Sequence, residues 1–296
     1  MTSCPWWSPI PMSSIRKLLR GGVRAILVLV PLALVLIVVV LSYEKACPAS
    51  PPAASGPDAM QAVVRRCYGG PEVLELARVS RPALEPGHVL VKVRAAGINP
   101  YEWHFMRGTP YLMRIDSGIG APKEARLGVD FAGVVEAVGA GVTGFAPGDA
   151  VFGGKGGALA EYVTVKADRN VVAKPGNVSF EQAASVNIAG VTALQALRDR
   201  GQLKPGQRVL VNGASGGVGT FAVQIAKAYG AHVTGVCSTR NLELVRGLGA
   251  DEVIDYTRQD YTEGGEPYDL IVDMVGSRGL LENRRVLKPD GRLVII

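Results

Sequence analysis

Metal-ligating residues are scarce in this chain, with three histidines and four cysteines among 296 residues. Cys4, Cys47, Cys67 and Cys237 are scattered, and no pair has the spacing of a zinc site. A chain this long needs no disulfide scaffold, so free thiols are expected. His88 and His104 have no partner recognisable in sequence and read as solvated or packed side chains. No stripe of Lys and Arg interleaved with aromatics occurs, which argues against nucleic acid as a partner. Much of the net charge of +6 comes from Arg16, Lys17, Arg20 and Arg24, clustered before an apolar run. There is no internal repeat.

Glycine, by contrast, is plentiful, and its densest use organises the chain. Arg208 to Arg240 reads RVLVNGASGGVGTFAVQIAKAYGAHVTGVCSTR. A short apolar run leads into a glycine turn, Gly213 to Gly219. Val218, Ala222, Ile225, Ala226 and Tyr229 then fall at helical spacing, Gly230 stops the helix, and a second strand, His232 to Cys237, follows. Strand, glycine turn, helix and parallel strand form the unit that holds a dinucleotide pyrophosphate at a helix N-terminus. The first glycine of the usual pattern is replaced by Ala214, giving A-x-G-G-V-G in an intact β-α-β context.

The end of the second strand points to the cofactor. An NAD site of this type usually places Asp or Glu there to accept from the ribose 2′-OH. This chain has Ser238, Thr239, Arg240 and Asn241. A hydroxyl, a guanidinium and an amide suit a 2′-phosphate, which Arg can pair bidentately. Ser238 and Asn241 also read as caps of the next helix, and the two jobs can coexist. NADP is favoured over NAD.

In chain order, residues 1–24 form a basic arm, and residues 25–41 are uninterrupted apolar. They are expected to be a transmembrane or signal-anchor helix, which would place the protein at a membrane. Residues 42–59 are a Pro/Ala-rich linker. Met60 looks like the start of a domain, and a translation start there would leave a cytoplasmic protein. His88 to Ala96 alternates as a half-buried strand does, and the β-branched runs from Leu127 to Val165, punctuated by Gly and Pro-Gly-Asp turns, suggest a bent antiparallel barrel. A helical stretch, Phe180 to Leu197, follows. Beyond Arg240 come a helix (Leu242 to Leu248), strands at Glu252 to Ile254 and Tyr268 to Met274, and a helix near Leu280 to Leu287. A Lys-Pro-Asp-Gly turn then leads to a last strand, Arg292 to Ile296, making five parallel strands in all.

The segments AVVRRCYGGPEVLEL, AAGINPYEWHFMRG, LGVDFAGVVEAVG, GDAVFG, GVTALQAL, GQRVLVNGASGGVGTFAVQIAK and GADEVIDY together resemble the medium-chain dehydrogenase/reductase superfamily, most closely its zinc-free, quinone oxidoreductase-like branch. The resemblance covers Met60 to Ile296 and implies an α/β protein. Its parts would be a GroES-like β-barrel substrate domain (60–185) and a doubly wound parallel Rossmann domain (186–296), preceded here by an apolar N-terminal helix. NADPH is implied in the cleft between the two domains. Relatives continue past the RLVII strand, so the chain is expected to be C-terminally truncated and the full-length form a homodimer. Zinc members carry a Cys in the loop held here by Gly97 to Glu102 and a His-Glu pair where this chain has Val129 and Asp130. Catalytic zinc needs three protein ligands, and Val129 supplies none, so no metal is expected.

The resemblance places Asn99 and Thr192 near the nicotinamide end and Ala214, Ser215, Gly216, Gly217, Val218 and Gly219 at the pyrophosphate. Ser238 and Arg240 fall at the 2′-phosphate, and Val275 and Gly276 at the nicotinamide ribose. Tyr256 lies either beside the adenosine or against the sheet edge. Tyr111 sits where related enoyl reductases carry a proton-donating Tyr, though packing is its plainer role, and Asn99 is either a turn residue before Pro100 or a polarising donor. Without a metal, hydrogen-bond donors must stabilise the developing oxyanion, which favours quinones and α,β-unsaturated carbonyls as acceptors. A rival reading is a non-catalytic NADPH-binding protein, membrane-tethered or regulatory.

Overall fold

In the computed structural model, which describes residues 27 and 29–296, the antiparallel strands form where β-branched alternation meets glycine turns. β1 (Ala59–Val64) and β2 (Glu75–Ser80) make a two-stranded ribbon. β3 (His88–Ala96), β4 (Asp130–Val138), β5 (Ala150–Gly154), β6 (Tyr162–Lys166) and β7 (Val171–Ala173) form a five-stranded sheet in the order β6-β3-β4-β5-β7. Alternate side chains, among them Val89, Val91, Phe131, Val135, Val151, Val163 and Val165, are buried together on one face. Register shifts at Leu90/Val91 and Val93/Ala95 bend the β3–β4 pair.

The chain divides into two compact units, Met1–Pro51 with Arg65–Glu75 and Trp103–Ala125 in one, and Pro52–Val64, Leu76–Glu102 and Arg126–Ile296 in the other. The first includes helix α1 (29–42), the end of α2 (Pro100–Arg107) and the short α3 (Arg114–Ser117). The expected membrane span is overturned here. Among the described residues no helix is long and apolar enough to cross a membrane, so the membrane location drawn from the apolar run is corrected. Residues 25, 26 and 28 of that run, and the basic arm, lie outside the described residues.

A second correction concerns the thiols. Cys47 and Cys67 form a disulfide, with Cα atoms 4.9 Å apart. The Lys45 N–H donates to the Gly120 carbonyl at 2.8 Å, one of the contacts that fold residues 43–47 back onto this unit. Cys237 is free and buried, as expected, and Cys4 lies outside the described residues.

The second unit continues with α4 (Phe180–Ala184) and α5 (Asn187–Leu194), the latter running into a π turn, Gln195–Arg200. Ser179 and Gln182 start α4 with a reciprocal capping box. One helix was expected over this span; it breaks after Ala184, where the Ser185 hydroxyl takes the Gln182 carbonyl at 2.7 Å. The parallel sheet then forms from β8 (Arg208–Asn212), β9 (His232–Cys237), β10 (Glu252–Asp255), β11 (Tyr268–Asp273) and β12 (Leu287–Ile295), in the order β10-β9-β8-β11-β12. Helices α6 (Gly217–Ala228), α7 (Leu242–Gly247) and α8 (Leu280–Arg285) connect it. Val209, Val211, Val233 and Val272 pack with Ala222, Val223 and Ala226 of α6 on one face. Leu210, Val236 and Ile271 pack with Tyr261, Tyr268 and Val286 on the other. Burial on both faces is why these strands read as continuous apolar runs. The Lys288 to Gly291 turn does not precede the last strand but bulges from within it, because Tyr268 pairs with Leu287 while Leu270 pairs with Arg292.

Candidate functional site

From β8 the chain moves to β9 on one side, while β11 pairs with β8 on the other. The carboxyl ends of strands at such a reversal flank a crevice. A cleft of about 470 Å³ opens there, and Ser215, Ser238, Arg240, Asn241, Tyr256 and Val275 all line it. Five of the residues picked out for the cofactor are thereby brought together.

The glycines of the turn have different jobs. A Cβ on Gly219 would lie 2.1 Å from the Gly213 carbonyl oxygen and 2.8 Å from the Ala214 Cα. Gly219 therefore lets α6 sit directly on the turn. A Cβ on Gly217 would meet only the Ala189 Cβ, at 3.9 Å, so the backbone there is open. Gly216 precedes the helix and offers it no side-chain cap, leaving first-turn N–H groups for an anion. Ala214 and Val218 face the core with the β8–β9 valines. That inward orientation explains how alanine can stand at the first position of the pattern.

At the end of β9 the Asn241 amide donates to the Ser215 hydroxyl at 3.0 Å and to the Ser238 hydroxyl at 3.3 Å. Neither Ser238 nor Asn241 makes a side-chain cap, so the capping role is not seen. Instead the amide ties the glycine turn to the end of β9. Arg240 is exposed and has no ion-pair partner among the described residues. The nearby Asp255 is already engaged. It accepts from the Thr239 hydroxyl at 2.5 Å and from Thr257, and the Thr239 bond is the leading cause holding its carboxyl below the usual range.

Two groups in this region escaped the sequence. Asp273, buried at the end of β11, accepts from Asn212 Nδ2 at 2.8 Å and from the N–H groups of Val275 and Gly276 at 2.9 and 3.0 Å. It thereby sets the turn that carries Val275 and Gly276. Arg278 also lines the cleft, held by Asp260 at 2.7 Å. Thr192 lies half-buried on α5, outside the cleft lining.

Asn99 belongs to a different cluster. Its Nδ2 donates to Asp130 Oδ2 at 3.1 Å, while Asp130 also accepts from Asn187 Nδ2 at 2.9 Å and from the Ile188 N–H at 3.2 Å. Asp130 is fully buried. Its carboxylate can only accept, so the Asn99 carboxamide is held with its NH₂ towards it and one N–H to spare. Asn99 also starts α2: its N–H donates to Glu102 Oε2 at 2.6 Å, and its carbonyl accepts from the Glu102 N–H at 3.1 Å. The N-P-Y-E spacing was a legible capping signal. Burial, first of all, raises the Glu102 carboxyl above its usual range, with the charge of Asp130 adding to it. Tyr111 lies in the first compact unit, its ring 4.6 Å from the Arg114 guanidinium carbon.

Residues 85–176 match the alcohol dehydrogenase GroES-like domain, and residues 217–296 match the family described as zinc-binding dehydrogenase. The quinone oxidoreductase of Homo sapiens is 35% identical over 260 residues, covering 82% of this chain and 74% of that protein. The chain belongs to the medium-chain dehydrogenase/reductase superfamily. Trans-enoyl reductase pgmF of Aspergillus terreus is 43% identical over 206 residues, covering 65% of this chain. The chain spans only 56% of the length of that reductase. Among solved structures, the quinone oxidoreductase of Coxiella burnetii superposes with a TM-score of 0.72 at 32% identity, covering 79% of this chain and 74% of that one.

Val129 has no donor atom, and among the described residues no group of three or more His, Cys, Asp or Glu is placed to hold a metal ion.

Proposed function

We propose that this medium-chain dehydrogenase/reductase chain binds NADPH and uses it, without zinc, to reduce a quinone or an α,β-unsaturated carbonyl. The observation that carries the reading is the cleft end formed by Ser238, the unpaired Arg240 and the Asn241-tethered Ser215. Quinone oxidoreductases and a trans-enoyl reductase among the similar proteins support the acceptor class.

The residues fit the dinucleotide. Ser215 to Gly219 would hold its pyrophosphate at the uncapped start of α6, on the turn that the buried Ala214 anchors to β9. Ser238 and Arg240 would take the 2′-phosphate, Tyr256 the adenosine, and Thr192, Val275 and Gly276 the nicotinamide end. When bound, the dinucleotide supplies the hydride. Asn99 uses its spare N–H to stabilise negative charge on the acceptor oxygen, in the orientation that Asp130 imposes. In an enone the hydride leaves an enolate, to which the Tyr111 hydroxyl would donate its proton, regaining one from solvent.

NADPH is expected to bind about tenfold or more tighter than NADH, about 1.4 kcal/mol. Arg240→Ala should remove most of that preference and leave NADH binding nearly unchanged. Equal affinities in the parent protein, measured by titration, would overturn the cofactor assignment. Elemental analysis of purified protein should find no stoichiometric zinc, and chelators should leave reductase activity unchanged. One tightly held zinc per chain would contradict the metal-free mechanism.

A further inference from the structure

Arg114 is fully buried in the first compact unit. A buried guanidinium carries five N–H donors and needs a counter-charge. All five donors are used. Nε donates to the Gly108 carbonyl at 2.8 Å, and Nη1 to the carbonyls of Leu41 and Tyr43 at 3.1 and 3.3 Å. Nη2 donates to Glu44 Oε1 at 2.6 Å and to the Arg107 carbonyl at 3.3 Å. The rings of Tyr68 and Tyr111 lie 4.4 and 4.6 Å from the guanidinium carbon. Three of the five bonds, and the ion pair, therefore come from residues 41–44. Those residues precede the part of the chain that resembles known reductases.

The same segment is pinned at further points. Its Lys45 N–H donates to the Gly120 carbonyl at 2.8 Å, and Cys47 is bridged to Cys67. Gly120 has φ +80, and a Cβ there would lie 3.2 Å from the Tyr43 ring. The Tyr68 hydroxyl, next to that bridge, donates to the Gly118 carbonyl at 2.6 Å. Residues 41–47 thus close over the loop that carries Tyr111 and Arg114.

We propose that Arg114 is a positioning residue for Tyr111, and that residues 41–47, through Glu44 and the Leu41 and Tyr43 carbonyls, are a working part of the Tyr111 loop. The proposal rests on the reading that Tyr111 meets the acceptor. Without Glu44 the cation loses its counter-charge, turns out towards water, and leaves the Tyr111 ring unsupported.

Hydrogen exchange of the full chain tests this without any need for turnover. In Glu44→Ala, peptides spanning 41–47 and 108–123 are expected to exchange about tenfold faster, with peptides of β8 and α6 unchanged. Glu44→Gln, which keeps an acceptor but no charge, should give a smaller increase. Unchanged exchange in both variants would overturn the proposal, and a uniform increase over every peptide would show a general loss of stability instead. Turnover supplies the second readout. Arg114→Lys and Tyr111→Phe should each lower kcat with KM for NADPH unchanged, and the double variant should be no slower than Tyr111→Phe alone. Additive losses would overturn the coupling. A parent protein that oxidises no NADPH would defeat the reductase reading, while the exchange result would still decide whether Glu44 and Arg114 hold the loop.

Discussion

Gly219→Ala is expected to cost about 3 kcal/mol of folding stability and to remove measurable NADPH binding. The added methyl would sit 2.1 Å from the Gly213 carbonyl oxygen and 2.8 and 2.9 Å from the Ala214 Cα and carbonyl carbon. All three are backbone atoms, so no rotamer change relieves the overlap. The turn cannot retreat either, since the N–H groups of Gly213 and Ala214 both donate to the Val236 carbonyl, at 3.2 and 3.0 Å. Either α6 lifts off the sheet or the turn leaves β9, and both spoil the anion cradle. Gly217→Ala is the matched control. Its methyl has room, with the nearest atom 3.9 Å away, and alanine in the first turn of a helix gains up to about 1 kcal/mol over glycine. Urea unfolding should therefore find Gly217→Ala as stable as the parent or more so, with weaker NADPH binding where the methyl faces the phosphate. A Gly219→Ala protein as stable as the parent would show that the helix does not rest on the turn as described.

The nucleotide unit was legible because its signals are local. Strand, turn and helix follow within about thirty residues, and each announces itself by period or by glycine. Ser215, Ser238 and Arg240 could be placed in one cleft from sequence for that reason. What stayed hidden depends on pairs distant in the chain. Asn187 reaches Asp130 across 57 positions, and the asparagine reads there as an ordinary helix-start residue. Cys47 and Cys67 are 20 residues apart, a spacing that carries no signal until Arg114 draws residues 41–44 onto its loop. Arg278 carries no signal of its own, because its partner, Asp260, lies in an irregular stretch with no periodicity to read. The apolar run misled for the opposite reason. Its composition suited a span, whereas among the described residues no helix is long and apolar enough for one.

Asp130→Asn is expected to separate the role of Asn99 in chemistry from its role in folding. In the parent, Asp130 Oδ1 accepts from Asn187 and Ile188, and Oδ2 accepts from Asn99 and Ile188. An asparagine here keeps one oxygen, which the Asn187 and Ile188 donors hold, and turns its NH₂ on the Asn99 NH₂. The Asn99 carboxamide must rotate, so the donor proposed to meet the acceptor oxygen is replaced by a carbonyl. Losing one such donor lowers kcat by about 100-fold, whereas one broken hydrogen bond costs only about 1 kcal/mol of stability. NADPH affinity should not change, because the cleft contacts are elsewhere. Asp130→Ala leaves Asn99, Asn187 and the Ile188 N–H all unpaired and should cost about 3 kcal/mol. Glu102→Gln completes the set through its pH dependence. Burial raises the folded-state value of Glu102 above its unfolded one, so the protonated form is favoured in the fold. That contribution is present below the unfolded value and is lost as pH rises through the folded one. At neutral pH the parent carries a buried charge facing Asp130, which the glutamine variant lacks while keeping an acceptor for the Asn99 N–H. Glu102→Gln should therefore be the more stable protein near pH 7, with the gap closing as pH falls towards 4.5. A gap that widens on acidification would reverse the sign and show Glu102 to be stabilised as the carboxylate. An Asp130→Asn enzyme with unchanged kcat would show that the orientation of Asn99 has no part in the reaction.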